Sequence, residues 1–97
     1  MSAERTTQLL ESINGGIVSQ FLNEATVYPA TLTNVCKGIA INNCSAVAEL
    51  TVTLTFRDGV STIAIPVPAN EIYSGTFEDF IKVTAAGATP FDIEVRK

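Results

Sequence analysis

From Leu50 to Arg57 apolar and polar residues alternate without a break. Leu50, Val52, Leu54 and Phe56 share one face, and Thr51, Thr53, Thr55 and Arg57 the other, the period of a half-buried strand. Asp58-Gly59 supplies the two positive-φ residues of a type I′ turn, after which the alternation resumes through Val67. Folding about that turn sets Leu54 opposite Ile63, Val52 opposite Ile65 and Leu50 opposite Val67. Every inward residue then meets an inward residue, so the register is internally consistent. Pro66 and Pro68 stand two apart and offer no backbone donor on that flank. The second strand is therefore expected at a sheet edge, guarded against strand addition.

The same period runs through the rest of the chain. Gly16–Leu22 reads as a first strand, and Tyr28, Ala30 and Leu32 alternate with Thr31 and Thr33 in a second. Ile39 and Ile41 continue after a bulge or turn at Lys37-Gly38, and Asn42-Asn43-Cys44-Ser45 marks a loop. Glu71–Glu78, with Ile72, Tyr73 and Phe77, reads as a shorter strand or crossing loop. Ile81 and Val83 face inward with Phe91, Ile93 and Val95, which predicts a hairpin about Ala86-Gly87-Ala88. That register sets Val83 against Phe91, Ile81 against Ile93 and Lys82 against Asp92. Only residues 2–14 suggest a helix, with Ser2 as cap, Leu9, Leu10 and Ile13 on one face and Gly15 as terminator. Such a thin stripe needs a surface to pack on.

The expectation is one all-β domain over residues 16–97, preceded by an arm or short helix over residues 1–15. Its architecture is a two-layer antiparallel β-sandwich, jelly-roll or Ig-like, of about seven or eight short strands. The Ig hallmarks are missing: there is no Trp, and Cys36 and Cys44 are close in sequence.

Composition narrows the chemistry. The chain has 97 residues, 46% hydrophobic and 16% charged, which fits one thin core and excludes the disordered class. No apolar run is long enough for a membrane helix. Six Lys and Arg against ten Asp and Glu leave a net charge of −4, which disfavours nucleic acid. Met1–Gln8 lacks the basic start and apolar stretch of a secretion signal, so synthesis without export is expected. Without that signal the sequon Asn43-Cys44-Ser45 reads as accidental. Cys36 and Cys44 fit no common zinc spacing. They read as reduced, mostly buried thiols, although a turn at Lys37-Gly38 or Asn42-Asn43 permits a bridge.

The chain contains no His, so the commonest general base and transition-metal ligand is missing. Lys37 adjoins Cys36, but neighbours on a strand point to opposite faces. Glu71, Glu78 and Asp79 are candidates for acid/base work, and Glu78 and Asp79 for Ca²⁺, yet no flanking signature supports either. Thr51, Thr53 and Thr55 form a hydroxyl row that β-propensity on a wet face explains. No catalytic residue, metal ligand or cofactor is expected, and the chain is read as a non-enzyme. Tyr73, Phe77 and Phe80 are different. Phe80 has the opposite parity from Ile81 and Val83, so it is expected on the wet face, where large apolar residues mark contacts. The alternatives for this stretch are a subunit interface, a local second core and a ligand platform.

The segment Ile65-Pro66-Val67-Pro68-Ala69, then Phe77-Glu78-Asp79-Phe80, Ile81-Lys82-Val83-Thr84 and Pro90-Phe91-Asp92-Ile93-Glu94-Val95-Arg96, resembles small virion proteins of tailed bacteriophages. Those include capsid decoration (cement) proteins and tail or head-fibre accessory domains. The resemblance covers about residues 60–97 and carries no catalytic motif. It implies a structural virion protein, made in the host cytoplasm, that assembles as a homo-oligomer, a trimer for preference, on a capsid or other virion protein. Leu9, Leu10, Ile13, Tyr73, Phe77 and Phe80 are the expected contacts, with the arm ordering on binding. The alternatives are a small carbohydrate-binding module and a tail or head-fibre accessory subunit.

Overall fold

The computed structural model describes residues 18–97. They form β1 (Gln20–Asn23), β2 (Ala30–Asn43), β3 (Leu50–Phe56), β4 (Thr62–Val67), β5 (Ile72–Ala86) and β6 (Phe91–Arg96). All six join one antiparallel sheet in the order β1-β6-β2-β5-β3-β4. No helix occurs among the described residues. The chain is thus all-β, in a single sheet of six strands where two layers of about seven or eight were expected. The arm with Leu9, Leu10 and Ile13 lies outside the described residues, as do Gly16 and Ile17 of the expected first strand, and β1 begins at Gln20, with Val18 and Ser19 before it.

The count falls because expected strands fuse. Ala30–Thr33 and Ile39–Ile41 belong to one 14-residue strand, β2, with Tyr28 just outside it. Ile72–Glu78 and Ile81–Val83 belong to one 15-residue strand, β5. Each fusion passes through an irregular register around the Cys36–Phe80 pair, where extra residues bend a strand without ending it. Asn42 and Asn43, read as loop, close β2 and are buried.

The β3–β4 register is Leu54 to Ile63, Val52 to Ile65 and Leu50 to Val67. Its turn differs from type I′. Gly59 has φ +76°, but Asp58 is not in the left-handed region. Instead Gly59 N–H donates to Phe56 C=O at 2.9 Å, and Phe56 N–H donates to Ser61 C=O at 2.9 Å. Asp58 acts through its side chain, accepting from the backbone N–H groups of Val60 and Ser61, as short acidic residues do in turns. β4 stands at the sheet edge with Pro66 opposite Thr51, and Pro68 follows the strand.

The expected β5–β6 hairpin does not form. β5 is flanked by β2 and β3, and β6 by β1 and β2. Val83 sits opposite Ala30 and Leu54, Lys82 opposite Thr31 and Thr55, and Asp92 opposite Asn23 and Asn42. A period of two fixes which face a residue takes, not which strand lies beside it. Gly87, at φ +105°, lies where a Cβ would come within 2.7 Å of Glu49 C=O, as the chain crosses from β5 to β6.

One hydrophobic cluster contains Leu50, Val52 and Leu54 of β3 together with Ile39 and Ile41 of β2 and Ile93 and Val95 of β6. Three strand spacings separate β3 from β6, about 14 Å in a flat sheet. Ile39 and Ile41 of β2 and Phe80 and Val83 of β5 link them, so the apolar face is continuous across the sheet.

Candidate functional site

The irregular registers of β2, β3 and β5 converge on one end of the sheet. Cys36 pairs with Phe80 and Gly38 with Thr76, so β5 places Phe77, Glu78 and Asp79 where β2 places only Lys37. On the other side Thr55 pairs with Lys82 and Phe56 with Phe80, leaving Ile81 as an extra residue. Bulges re-aim side chains, and here they open a groove of about 630 Å³ between the β5 bulge and the β3–β4 turn.

Asp79 is the hub. Its backbone C=O accepts from Arg57 N–H at 3.0 Å. Its carboxylate accepts from Arg57 Nη1 at 3.3 Å through Oδ2, and Lys37 Nζ lies 3.7 Å from Oδ1. The Lys37 and Arg57 side chains are 66% and 72% exposed, so solvent screens these pairs and they add little stability. What they do is hold two cationic groups at one carboxylate beside Phe56 and Phe77, both half-buried against the core. Across the groove, hydrogen bonds hold the Asp58 carboxyl below its ordinary pKa: first the Ser61 side chain, then the backbone N–H groups of Val60 and Ser61. Ser61 Oγ donates to Asp58, but a carboxylate stabilised in its charged form is a weak base and does not activate that hydroxyl.

The aromatic stretch divides. Tyr73 and Phe77 stack, with ring centroids 6.5 Å apart at 27°. Four residues along a strand cover about 13 Å, so the rings meet only because Tyr73 reclines over Gly75. A Cβ there would come within 2.6 Å of its hydroxyl. Phe80 is 0% exposed and belongs to the core, not to the wet face. The extra residue Ile81 reverses the parity between Phe80 and Val83, and both point inward.

Other candidates scatter. Cys36 is buried and Lys37 exposed, and no disulfide joins Cys36 to Cys44. Burial pushes the Cys36 thiol up, against a smaller opposing effect from the Ser19 side chain. Glu71 precedes β5 and does not line the groove, whereas Glu78 does. Thr51 is exposed, but Thr53 and Thr55 are half-buried, so the hydroxyl row is uneven. Tyr28 packs at 6.1 Å on Phe91 and donates its hydroxyl to Asn23 C=O at 2.7 Å. Among the described residues no three His, Cys, Asp or Glu side chains are grouped to hold a metal, and no helix is long and apolar enough to cross a membrane.

Sequence reasoning missed that Lys37, Phe56 and Arg57 join Asp79. Phe56 read as core, and Lys37 was weighed only against its neighbour Cys36 and set aside. The available signal was the broken parity at Phe80-Ile81, which marks a bulge as well as it marks an exposed ring. Compared with protein-family models, curated proteins and solved structures, the chain matches none.

Proposed function

We propose that the chain is a non-enzymatic structural subunit that decorates and stabilises a phage capsid, docking through the groove at Phe56, Phe77 and Asp79. The observation that carries this reading is the pairing, at one bulged sheet end, of half-buried aromatic rings with a Lys37–Asp79–Arg57 cluster. Aromatic and Arg side chains dominate protein–protein hot spots, and charges beside them set orientation and encounter rate. The resemblance of residues 60–97 to small virion proteins points to a viral shell as the partner. The six-stranded sheet, read as two facing layers, is the rigid plug. A subunit that binds only the assembled lattice stabilises it according to its concentration over its dissociation constant, and a homotrimer multiplies that effect by avidity.

The test is co-sedimentation with empty capsids, with the solution mass measured by light scattering. Binding that Phe77→Ala and Asp79→Lys abolish, under conditions where both variants remain folded, supports the reading. Capsid binding untouched by both variants removes the groove from it. No capsid binding, with binding to tail or head-fibre components, moves the chain to an accessory subunit. A second reading, a carbohydrate-binding module, draws on the same groove, since sugar sites combine aromatic faces with a few polar groups. It expects a monomer and saturable sugar binding that Phe77→Ala abolishes.

A further inference from the structure

β4 ends the sheet, and proline closes only part of its free edge. Pro66 lies opposite Thr51 and has no N–H to give it, so this pair is of the non-hydrogen-bonded kind. The residues that bond β3 are then Ile63, Ile65 and Val67. The bond from Phe56 N–H to Ser61 C=O, at 2.9 Å, continues the same odd-numbered set. Thr62, Ala64 and Pro66 therefore turn their main-chain groups outward, away from β3. Proline removes the donor at 66 alone. N–H and C=O of Thr62 and Ala64 stand open at the edge, and both residues are exposed. No charged residue lies between Asp58 and Glu71 to discourage a neighbouring strand. The apolar face is open at the same place. Along β4 it runs Ile63, Ile65, Val67, with exposures of 39%, 5% and 1%. Val60, just before the strand, is 82% exposed.

We propose that this edge pairs with the same edge of a second copy of the chain, antiparallel about a two-fold axis at Ile63. Thr62 of each chain then exchanges both main-chain bonds with Ala64 of the other. Ile63 meets Ile63 of the second copy across the axis, as a directly opposed β-branched pair. Val60 comes over the exposed Pro66 of the other chain. One register thus covers both exposed apolar residues of this edge and opposes no charges. It also ends by itself. The next bonded pair would join Val60 to Pro66, but Val60 N–H is already given to Asp58 Oδ1 at 2.9 Å, and proline has none. A longer foreign strand meets the same block at Pro66, so a short self-pairing is what the edge fits. Such an isologous contact closes at two copies, where the resemblance to virion proteins implies a trimer. Phe56, Phe77 and Asp79 take no part, so the contact goes beyond the groove reading and stands without it. Being small, it is expected to depend on concentration.

The experiment uses the full chain with reductant present. Sedimentation equilibrium over a concentration series is expected to show the mass rising from the chain's 10.3 kDa toward twice that value. Amide exchange at Thr62 and Ala64 is expected to slow over the same series, with other exposed amides unchanged. Ala64→Pro removes an outward donor and leaves the bonds to β3 in place, as Pro66 does. It is expected to hold the chain at its single mass. Ile63→Lys and Ile63→Glu each set like charges across the axis and are expected to stay single alone. Their mixture is expected to recover the doubled mass, which separates a lost contact from a damaged fold should Ala64→Pro unfold. A chain that stays single at every concentration overturns the proposal, and so does a trimer. Doubling that survives Ala64→Pro, or a mixture that fails to recover it, overturns the proposal by placing the contact elsewhere. Growth into open-ended assemblies overturns the two-fold closure.

Discussion

The side-chain amide of Asn43 donates to the main-chain carbonyl of Val67, 24 residues downstream, at 2.9 Å in a fully buried site. The same Nδ2 also reaches Ala48 C=O at 2.9 Å and Pro68 C=O at 3.2 Å, and Oδ1 accepts from Ser45 N–H at 3.0 Å. One residue thus fastens the end of β2, the 44–49 loop and the end of β4. Removing it leaves buried carbonyls without donors. Asn43→Ala is expected to cost about 2–4 kcal/mol. Asn43→Asp is expected to cost at least as much, since it turns a carboxylate toward three carbonyls. Urea unfolding checks both, and an unchanged midpoint for Asn43→Ala would show that the clamp contributes nothing.

Two glycines occupy positive-φ positions for different reasons. At Gly59, φ +76°, a Cβ would meet nothing within 4 Å, so a side chain there adds backbone strain alone. Gly59→Val is expected to cost more than about 1 kcal/mol. At Gly87 the same strain is joined by a 2.7 Å approach to Glu49 C=O, a backbone atom with little room to move. Gly87→Ala is therefore expected to destabilise more than Gly59→Ala, and the reverse order in thermal melts would contradict the account.

How much of this was legible depends on what each residue pattern encodes. Strict alternation across residues 50–67 fixed both faces, and the short turn fixed the pairing, so the β3–β4 register was readable from the chain alone. Across Phe91–Val95 the alternation was equally clean, yet the neighbours came out differently. Face is local information, whereas choice of partner strand depends on competition with β2 and β3 for the same edges. Phe80 shows a third limit. Its parity suggested exposure, but one inserted residue, Ile81, turned it inward. The groove exists because of such insertions, which leave no composition of their own. Asn43 read as loop because Asn favours turns, and its bond from Ser45 N–H is of that local kind, whereas Val67 and Pro68 are partners that only the tertiary structure supplies.

Asp58 offers a test of the turn by titration. Its carboxyl is held below the usual carboxylate range, first by the Ser61 side chain and then by the backbone N–H groups of Val60 and Ser61. Because the folded-state pKa is depressed, its stabilising contribution is present above the unfolded value, about 3.9. That contribution is lost as pH falls through the folded value. A carbon-detected NMR titration is expected to place Asp58 below an unperturbed Asp, and Ser61→Ala is expected to move it upward. An unmoved midpoint in Ser61→Ala would remove the hydroxyl as its leading cause.

Cys36 carries the opposite sign. Burial raises its thiol pKa, so the folded chain keeps the proton where the unfolded chain has begun to lose it. Stability is then full below the ordinary thiol value and declines as pH rises through the folded one. A thiol reagent at neutral pH is expected to modify Cys44 first and Cys36 only at the rate of global unfolding. Rapid labelling of Cys36 in the native chain would contradict its buried placement.

The two phenylalanines flanking Glu78 and Asp79 separate fold from function. Phe80 is fully buried beneath the bulge, opposite both Cys36 and Phe56, and Phe80→Ala is expected to cost about 3–5 kcal/mol. Phe77 is half-buried, with one side of its ring on the groove and a stacking contact to Tyr73, so truncation loses less apolar burial. Phe77→Ala is expected to cost about 1–2 kcal/mol by the area it covers. The paired variants are compared by denaturant midpoint and then by capsid co-sedimentation under conditions where both are folded. Phe80→Ala, once folded, is expected to bind like the parent, because its ring touches only the core. Phe77→Ala is expected to lose binding. Equal binding by the two would place the docking surface elsewhere on the sheet, whatever their stabilities.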